Sequence, residues 1–294
     1  MSRPGFAMSI VTGIALVVSL LPATGHCQTP PATTAPPPAA AAQPDPNAAF
    51  LAKASSLYYS TTKQGLTGFD CTVHPDWANI FKTVEKKSTA TPTDQAADEK
   101  NIALLNSVKI TLHARLTGPG SGLDWTPGTM APQDADSVEM LDHEHEATGK
   151  TLQGFLQFWI PFVNGSVIPE TSAGIDVEKT ETGHTLHAVD GSTTITEVLD
   201  SGNILKQFNV EMQGAKIAFN PTYKPTPNGL LVSGFAARIQ PPGATLEQQQ
   251  KIDVGVEYQT VSGFLIPRTL TMAVVGTGTF SFKFDGCTVN PPAQ

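Results

Sequence analysis

Charge is scarce in this sequence: 15% of its 294 residues are Asp, Glu, Lys or Arg, against the usual quarter. That deficit argues against a helix-rich, salt-bridged cytosolic protein. Positive charge is the scarcer sign, with 18 Lys plus Arg against 26 Asp plus Glu and a net charge of −8. No cationic face is offered to a phosphate backbone, which speaks against nucleic acid as a partner. Catalytic signatures are also missing. There is no Gly-x-Ser-x-Gly elbow, no phosphate loop ending in Lys-Ser/Thr, no dinucleotide fingerprint and no His-Glu-x-x-His. Gly118-Pro119-Gly120-Ser121-Gly122 has glycines enough but the wrong frame, and reads as a flexible loop. No motif calls for a cofactor, and the expectation is a non-enzymatic protein.

Long apolar runs are absent beyond the N-terminus, so no transmembrane span is expected after it. Met8 to Leu21 is uncharged, follows Arg3 and precedes Pro22 and the small residues Ala23-Thr24-Gly25, the pattern of a secretory signal over residues 1–27. Cys27 offers a second outcome, a lipid anchor, although His26 stands where the lipoprotein peptidase takes a small residue. The Pro/Ala-rich stretch 28–46 cannot bury enough side chain to repay its ordering entropy and reads as a spacer. Residues 47–294 are left as a single domain, exported to the periplasm or secreted.

Cysteine is limited to Cys27, Cys71 and Cys287. With Cys27 cleaved off or lipidated, Cys71 and Cys287 are left at the two ends of the domain in an oxidising compartment. They are either a disulfide joining first strand to last or two unrelated buried thiols, and the disulfide is preferred.

Gly and Pro are plentiful, 25 and 24 residues, as suits a turn-rich β protein. A helix is predicted over Asn47 to Tyr59, a strand over 68–74 stopped at Pro75, and a short helix capped by Asp76 through Trp77, Ile80, Phe81 and Val84. Residues 86–100 are polar and read as irregular. Val108 to Leu116 alternates as a half-buried strand, and Gly118 to Pro132 reads as a long loop. Leu152, Phe155, Leu156, Trp159, Ile160 and Val163 recur at helical spacing, with Pro161 taken to end the helix near Ile160. After Gly174 the period changes to two. Turns are marked at Thr182-Gly183, Asp190-Gly191, Asp200 to Asn203, Asn228-Gly229, Ser262-Gly263 and Gly276 to Gly278. The fold class is therefore α+β, mainly β. It is a strongly curved antiparallel sheet, an unclosed barrel of roughly ten to twelve strands, covered by two or three helices.

The opening helix, the first strand at Gly65 to Val73, the meander and the closing segment Tyr258-Gln259-Thr260-Val261-Ser262-Gly263-Phe264-Leu265-Ile266-Pro267-Arg268 together resemble the bacterial outer-membrane lipoprotein-sorting family. The resemblance implies an unclosed curved sheet plugged by helices, with acyl chains held in the space between. It carries over the fold and the idea of an apolar interior, and no individual functional residue.

Three groups of side chains are candidates for function. The stripe Leu152, Phe155, Leu156, Trp159, Ile160, Val163 is either a lid over an apolar ligand, lipid or lipoprotein acyl chain, or an ordinary core face. His143 and His145, two apart, would share one side of a strand and could ligate a metal with His184 or His187 as a third ligand; the flanking Asp142, Glu144 and Glu146 suggest a solvated segment instead. Asp70, Asp76 and Asp142 are lone acids beside turns, more apt as caps than as a catalytic pair. Trp77 and Trp125 sit beside Pro or Gly and suit the edge of a core. The leading expectation is a carrier of an apolar ligand. The alternatives are an envelope-assembly protein that binds a protein partner through its sheet, and a metal protein built on His143 and His145.

Overall fold

The computed structural model describes residues 46–85, 92–117, 120–132 and 134–290. The signal (1–27) and nearly all of the spacer (28–46) lie outside the described residues. Four helices are described: α1 (Pro46–Ser55), α2 (Trp77–Glu85), α3 (Pro92–Ser107) and α4 (Ala135–Val163). The strands are β1 (Gly68–Pro75), β2 (Lys109–Arg115), β3 (Gly122–Thr126), β4 (Ile175–Lys179), β5 (Gly183–Asp190), β6 (Thr193–Asp200), β7 (Leu205–Met212), β8 (Ala215–Thr226), β9 (Gly229–Gln240), β10 (Gln250–Val261), β11 (Phe264–Val274) and β12 (Gly278–Val289).

All twelve strands belong to one antiparallel sheet in the order β3-β2-β1-β12-β11-β10-β9-β8-β7-β6-β5-β4. The sheet is unclosed and curved, as expected. Neighbouring strands are also neighbours in sequence, joined by hairpins or short connections or, between β1 and β2, by α2 and α3; the exception is β1 and β12, which join the start of the domain to its end. The Cys71–Cys287 disulfide crosses that junction. A bond of this kind persists in oxidising compartments and points to a non-cytoplasmic location. No described helix is long and apolar enough to cross a membrane.

The alternation of the strands sets the inner face. Phe280, Phe282 and Phe284 of β12 face Met272 and Leu270 of β11, which face Val254 and Val256 of β10, and all of these are buried. On the other side of β12, Val73 pairs with Phe284 and Ile110, and Phe69 with Ala114, continuing the apolar layer. The opposite face of β1 and β2 is polar. Arg115 Nη1 donates to Asp70 Oδ1 at 2.7 Å, and His113 lies 3.0 Å from Asp70 and 2.9 Å from Asp124.

α4 connects β3 to β4, the two edges of the sheet, and so has to cross its width. Twelve strands laid flat would span roughly 50 Å, whereas 29 helical residues reach only about 43 Å. Curvature brings the edges close enough for one helix to join them. The helix begins where Asp134 accepts a hydrogen bond from Ser137 N at 2.8 Å. At its other end Val163 O accepts from Thr61 N at 2.7 Å and Asn164 O from Thr62 N at 3.1 Å, which satisfies terminal carbonyls that the helix itself cannot.

Several expected boundaries are corrected. Residues 86–100 are expected to be irregular, but 92–107 form α3; its buried leucines, Leu104 and Leu105, lie in its C-terminal turns. Residues 86–91 lie outside the described ones. The Gly118–Pro132 loop contains β3, whose Leu123 and Trp125 pair with Leu112 and Ile110. α4 starts 17 residues before the apolar stripe and runs through Pro161 to Val163. Pro161 removes one backbone donor in the last turns, and its ring is exposed, so the turn is kept. The helices number four rather than two or three. A turn at Gln213-Gly214, not foreseen, has positive φ at both residues, as does Ser262-Gly263.

Candidate functional site

The C-terminal half of α4 rests on the concave face, and its aromatic side chains meet those of the central strands. Trp159 stacks on Phe155 at 5.8 Å and meets the edge of Phe69 at 6.1 Å. Phe158 lies 5.1 Å from Phe219 and 6.3 Å from Phe235, and Phe162 lies 6.3 Å from both Phe208 and Phe235. Phe219 in turn contacts Phe208 at 6.2 Å and Phe235 at 5.7 Å. Two helix residues and three strand residues thus build one aromatic wall, in which Phe158 and Phe208 are only half-buried.

Leu152, Phe155, Leu156, Trp159 and Val163 of the stripe are buried and Ile160 is half-buried. Trp159 is also fixed by a polar contact: its Nε1–H donates to Tyr258 Oη at 2.8 Å, and that hydroxyl donates to Val232 O at 2.6 Å. Burial pushes the Tyr258 hydroxyl above the usual tyrosine range, with Trp159 opposing, so it stays a donor. Lys224 Nζ stands 4.5 Å from the same ring. Tyr258→Phe is expected to cost about 1–3 kcal/mol by leaving the indole N–H and the Val232 carbonyl without their partner. Chemical denaturation checks it, and a loss within error of zero would show that water takes over both groups.

One member of the concave layer is out of character. Cross-strand pairing places Leu186, Glu197, Phe208, Phe219, Ala237, Ile252 and Val274 in a single row over β5 to β11. Every residue in it is apolar except Glu197, which is 5% exposed. Its Oε2 is buried and meets no hydrogen-bond partner among the described residues. Burial pushes its carboxyl up to about 8, because a charge at that place would lose its hydration. Nδ1 of His184 and the hydroxyl of Tyr223 share its condition on the sheet, and Oε1 of Gln157 shares it on α4.

The segment from α1 to Tyr59 packs against two of these residues. His184 lies 4.2 Å from Phe50 of α1, the rings tilted at 40°. It pairs with Leu199, two residues along β6 from Glu197, so the two side chains are diagonal neighbours on one face. Tyr223 meets the edge of Tyr58 at 5.4 Å, and the Tyr58 hydroxyl accepts from Leu205 N at 2.7 Å. Tyr58 is held against β9 by backbone bonds Tyr59 N to Leu230 O and Leu230 N to Leu57 O. Gly229 permits that approach, since a Cβ there would lie 2.8 Å from Tyr58 C. Burial, opposed by the Leu205 N–H and assisted by the Glu197 and Asp200 charges, pushes the Tyr58 hydroxyl up to about 12. Tyr223 is raised chiefly by burial, then by Tyr58 and Glu197.

The metal candidates are not brought together. His143 and His145 lie on α4 and not on a strand, and two residues apart on a helix they diverge by more than half a turn. His143 Nδ1 is 3.3 Å from Glu144 Oε1, and His145 packs on Trp125 at 5.0 Å. His187 lies on the other face of β5 from His184, with Nδ1 3.2 Å from Thr196 Oγ1. Among the described residues no three His, Cys, Asp or Glu side chains group as a metal site.

The acids separate too. Asp70 belongs to the Arg115 pair, Asp76 caps α2 through Asn79 N at 3.1 Å, and Asp142 is exposed on α4. Trp77 is buried, while Trp125 sits half-buried on the edge strand β3, packed against the core.

The fold and site define a class: an unclosed antiparallel sheet, plugged by a long edge-to-edge helix, with an aromatic wall and a buried carboxyl on its concave face. Comparison with family models, curated proteins and solved structures gives no match for this chain.

Proposed function

We propose that this protein is an exported, non-enzymatic carrier that holds an apolar chain between α4 and the concave face of the sheet. The observation that carries the reading is the aromatic wall of Phe158, Phe162, Phe208, Phe219 and Phe235 between α4 and the sheet, with Phe158 and Phe208 half-buried. Large aromatic side chains with a few convergent polar groups are what small-molecule sites are made of. Export is supported by the signal pattern at 1–27 and agrees with the disulfide. The C-terminal end of α4 is fastened to Thr61 and Thr62, so α4 opens, as a lid, by lifting its N-terminal part.

The edges weigh against the partner-binding alternative. β4 is five residues long and presents Asp176, Glu178 and Lys179 to solvent, the charged short edge that discourages strand addition.

The test is a comparison of masses. Protein isolated without detergent from the cells that export it is expected to be heavier under native conditions than denatured by a few hundred daltons, with the excess extractable into organic solvent. Equal masses, together with no uptake of a fluorescent acyl-chain probe by the same sample, would overturn the reading.

A further inference from the structure

We propose that His113 is a pH-operated clasp: protonated, it ties the edge strand β3, and with it the N-terminal half of α4, to β1 and β2; neutral, it lets them loosen.

The register makes the contact. On the outer face of the sheet His113 of β2 stands directly opposite Asp70 of β1 and, on its other side, opposite Gly122 of β3. Gly122 has no side chain to fill that place, and the imidazole reaches diagonally to Asp124, two residues along. Nε2 is hydrogen-bonded to Asp124 Oδ2 at 2.9 Å, and Nδ1 lies 3.0 Å from Asp70 Oδ1 in a charge contact off the hydrogen-bond line. Arg115 Nη1 donates to the same Asp70 oxygen at 2.7 Å. The side chains of His113, Arg115 and Asp70 are 13%, 15% and 19% exposed, whereas that of Asp124 is 71% exposed.

Both ring nitrogens thus face carboxylate oxygens, which accept and do not donate. An imidazolium donates from both nitrogens; a neutral ring donates from one and turns a lone pair to the other acid. With His113 charged, the cluster holds two acids and two cations. Deprotonation leaves an excess negative charge and one repulsive contact, whichever nitrogen keeps the proton. Burial works against the charge on His113, but Asp124 and Asp70 outweigh it, so the imidazolium persists above the ordinary histidine range. Burial also works to raise the Asp70 carboxyl, and Arg115 and His113 override it, holding that group below its ordinary range.

The strand that gives way is β3. β1 is paired on both sides and bonded through Cys71 to β12, while β3 pairs with β2 alone. On the inner face Trp125 of β3 meets His145 of α4 at 5.0 Å, so loosening β3 loosens the seat of that half of the helix. The clasp does not depend on what α4 covers. Other charged groups on the outer face are Lys109 at the start of β2, the His74–Asp285 pair of β1 and β12 at 3.1 Å, and Lys283 of β12. From the inner face α4 brings His145, with His143 and Glu144 beside it in the helix. The loop before β3 contributes Ser121, whose hydroxyl accepts from Arg115 N at 2.8 Å, and no titratable group among its described residues.

Hydrogen exchange read by mass spectrometry at low ionic strength, at about pH 5.5 and about pH 8.5 and corrected for the intrinsic pH dependence of amide exchange, tests the clasp. The imidazolium contributes fully below the ordinary histidine value of about 6.5 and is lost as pH rises through the raised folded value. β3 is therefore expected to open about fivefold more readily at the higher pH, a modest factor because Asp124 is exposed. Its midpoint should match the His113 titration followed by NMR, and residues 135–148 of α4 should follow in the same direction by a smaller factor. β10 to β12 report global opening, through which Glu197 acts, and the change in β3 is measured against theirs. His113→Gln and Asp124→Asn should each remove most of the response, Asp124→Asn by making β3 exchange at the lower pH as fast as the unmodified protein does at the higher. His74→Gln and His145→Gln should retain it. Because Asp124 is exposed, its variant keeps the test open if His113→Gln does not fold. Exchange of β3 that is flat between the two pH values, or a response that persists unchanged in Asp124→Asn, would overturn the clasp; a response confined to β3 would overturn its reach into α4.

Discussion

Glu197→Gln is expected to raise the stability of the protein at pH 8 and to remove most of the pH dependence of that stability between about pH 4.5 and 8. The folded carboxyl is raised to about 8 by burial, whereas in the unfolded chain it titrates near 4.3. Between those values the native state holds a proton that the unfolded state has released. Stability is therefore fully present below the unfolded pKa, declines as pH rises, and is lost by the time pH passes the folded pKa. A shift of that size corresponds to on the order of 5 kcal/mol above pH 8. The amide still has to be buried, so a net gain of about 2–3 kcal/mol is expected at pH 8, and little change at pH 4. For a domain of this size that is a rise of roughly 5–10 °C in Tm. Glu197→Leu, which continues the apolar row between Leu186 and Phe208, should gain at least as much. Thermal melts of the three proteins from pH 4 to 9 decide it: parallel curves would show that water or a neighbouring group already stabilises the ionised form. A residue that lowers stability at neutral pH and is nonetheless buried on the inner face has the profile of a functional group.

Removing the disulfide should have an effect of similar size in the opposite direction. Cys71 and Cys287 are 216 residues apart in sequence. On the chain-entropy account a loop of that length contributes about 5 kcal/mol by restricting the unfolded chain. The Cys71→Ala, Cys287→Ala double variant is expected to lose up to that amount, a fall of roughly 10–20 °C in Tm. The buried Cys71 sits in the apolar layer between Phe69 and Val73, so alanine there also leaves a small void. Melting the oxidised protein with and without a reductant separates the two contributions, since the reductant removes the link and keeps the sulfur. A reduced protein that melts with the oxidised one would show that β1 and β12 stay associated in the unfolded ensemble.

The legibility of the fold depended on whether local pattern and tertiary role coincided. They coincide in β10 to β12, where one face is buried, and alternation such as Phe280, Phe282, Phe284 reports it directly. They coincide at Asp200 to Asn203 and at Ser262-Gly263, whose residues accept the positive φ that the turns require. They part at Gln213-Gly214, where Gln213 takes positive φ against its preference. They part also in α3, whose stretch is mostly polar, with its few buried contacts in the last turns. The first half of α4 hid for a related reason: it contacts little but β3, so few of its positions need be apolar, and it looked like a solvated segment.

The site was legible in part. Trp159 and its stripe were visible from their spacing, but Phe158 and Phe162, which make the aromatic wall, fall outside the stripe and were missed. Glu197 had a signal that could have been read. Ile195, Glu197 and Leu199 alternate along β6, which puts a carboxyl in step with two inward-facing aliphatic side chains. His184 belongs to the same pattern on β5, in step with Leu186. What no local pattern supplies is Tyr58, brought beside Tyr223 by a bridge to Leu230 across 172 residues of chain.

The pairing of β1 with β12 also sets an order of events during synthesis. A ribosome delivers the N-terminus first, so β1 emerges with only β2 and β3 to pair with, and its other edge stays open while α4 and the eight strands β4 to β11 are made. Long-range closures of this kind are slow, because the chain between the ends has to be ordered before the contact repays it. Until the final dozen residues arrive, Phe69, Val73 and the unbonded thiol of Cys71 have no neighbours on that side. The last strand acts as a latch on the whole molecule. A chain cut short at Gly276 would lose not one hairpin but the strand pairing that joins β1, β2 and β3 to the rest of the sheet.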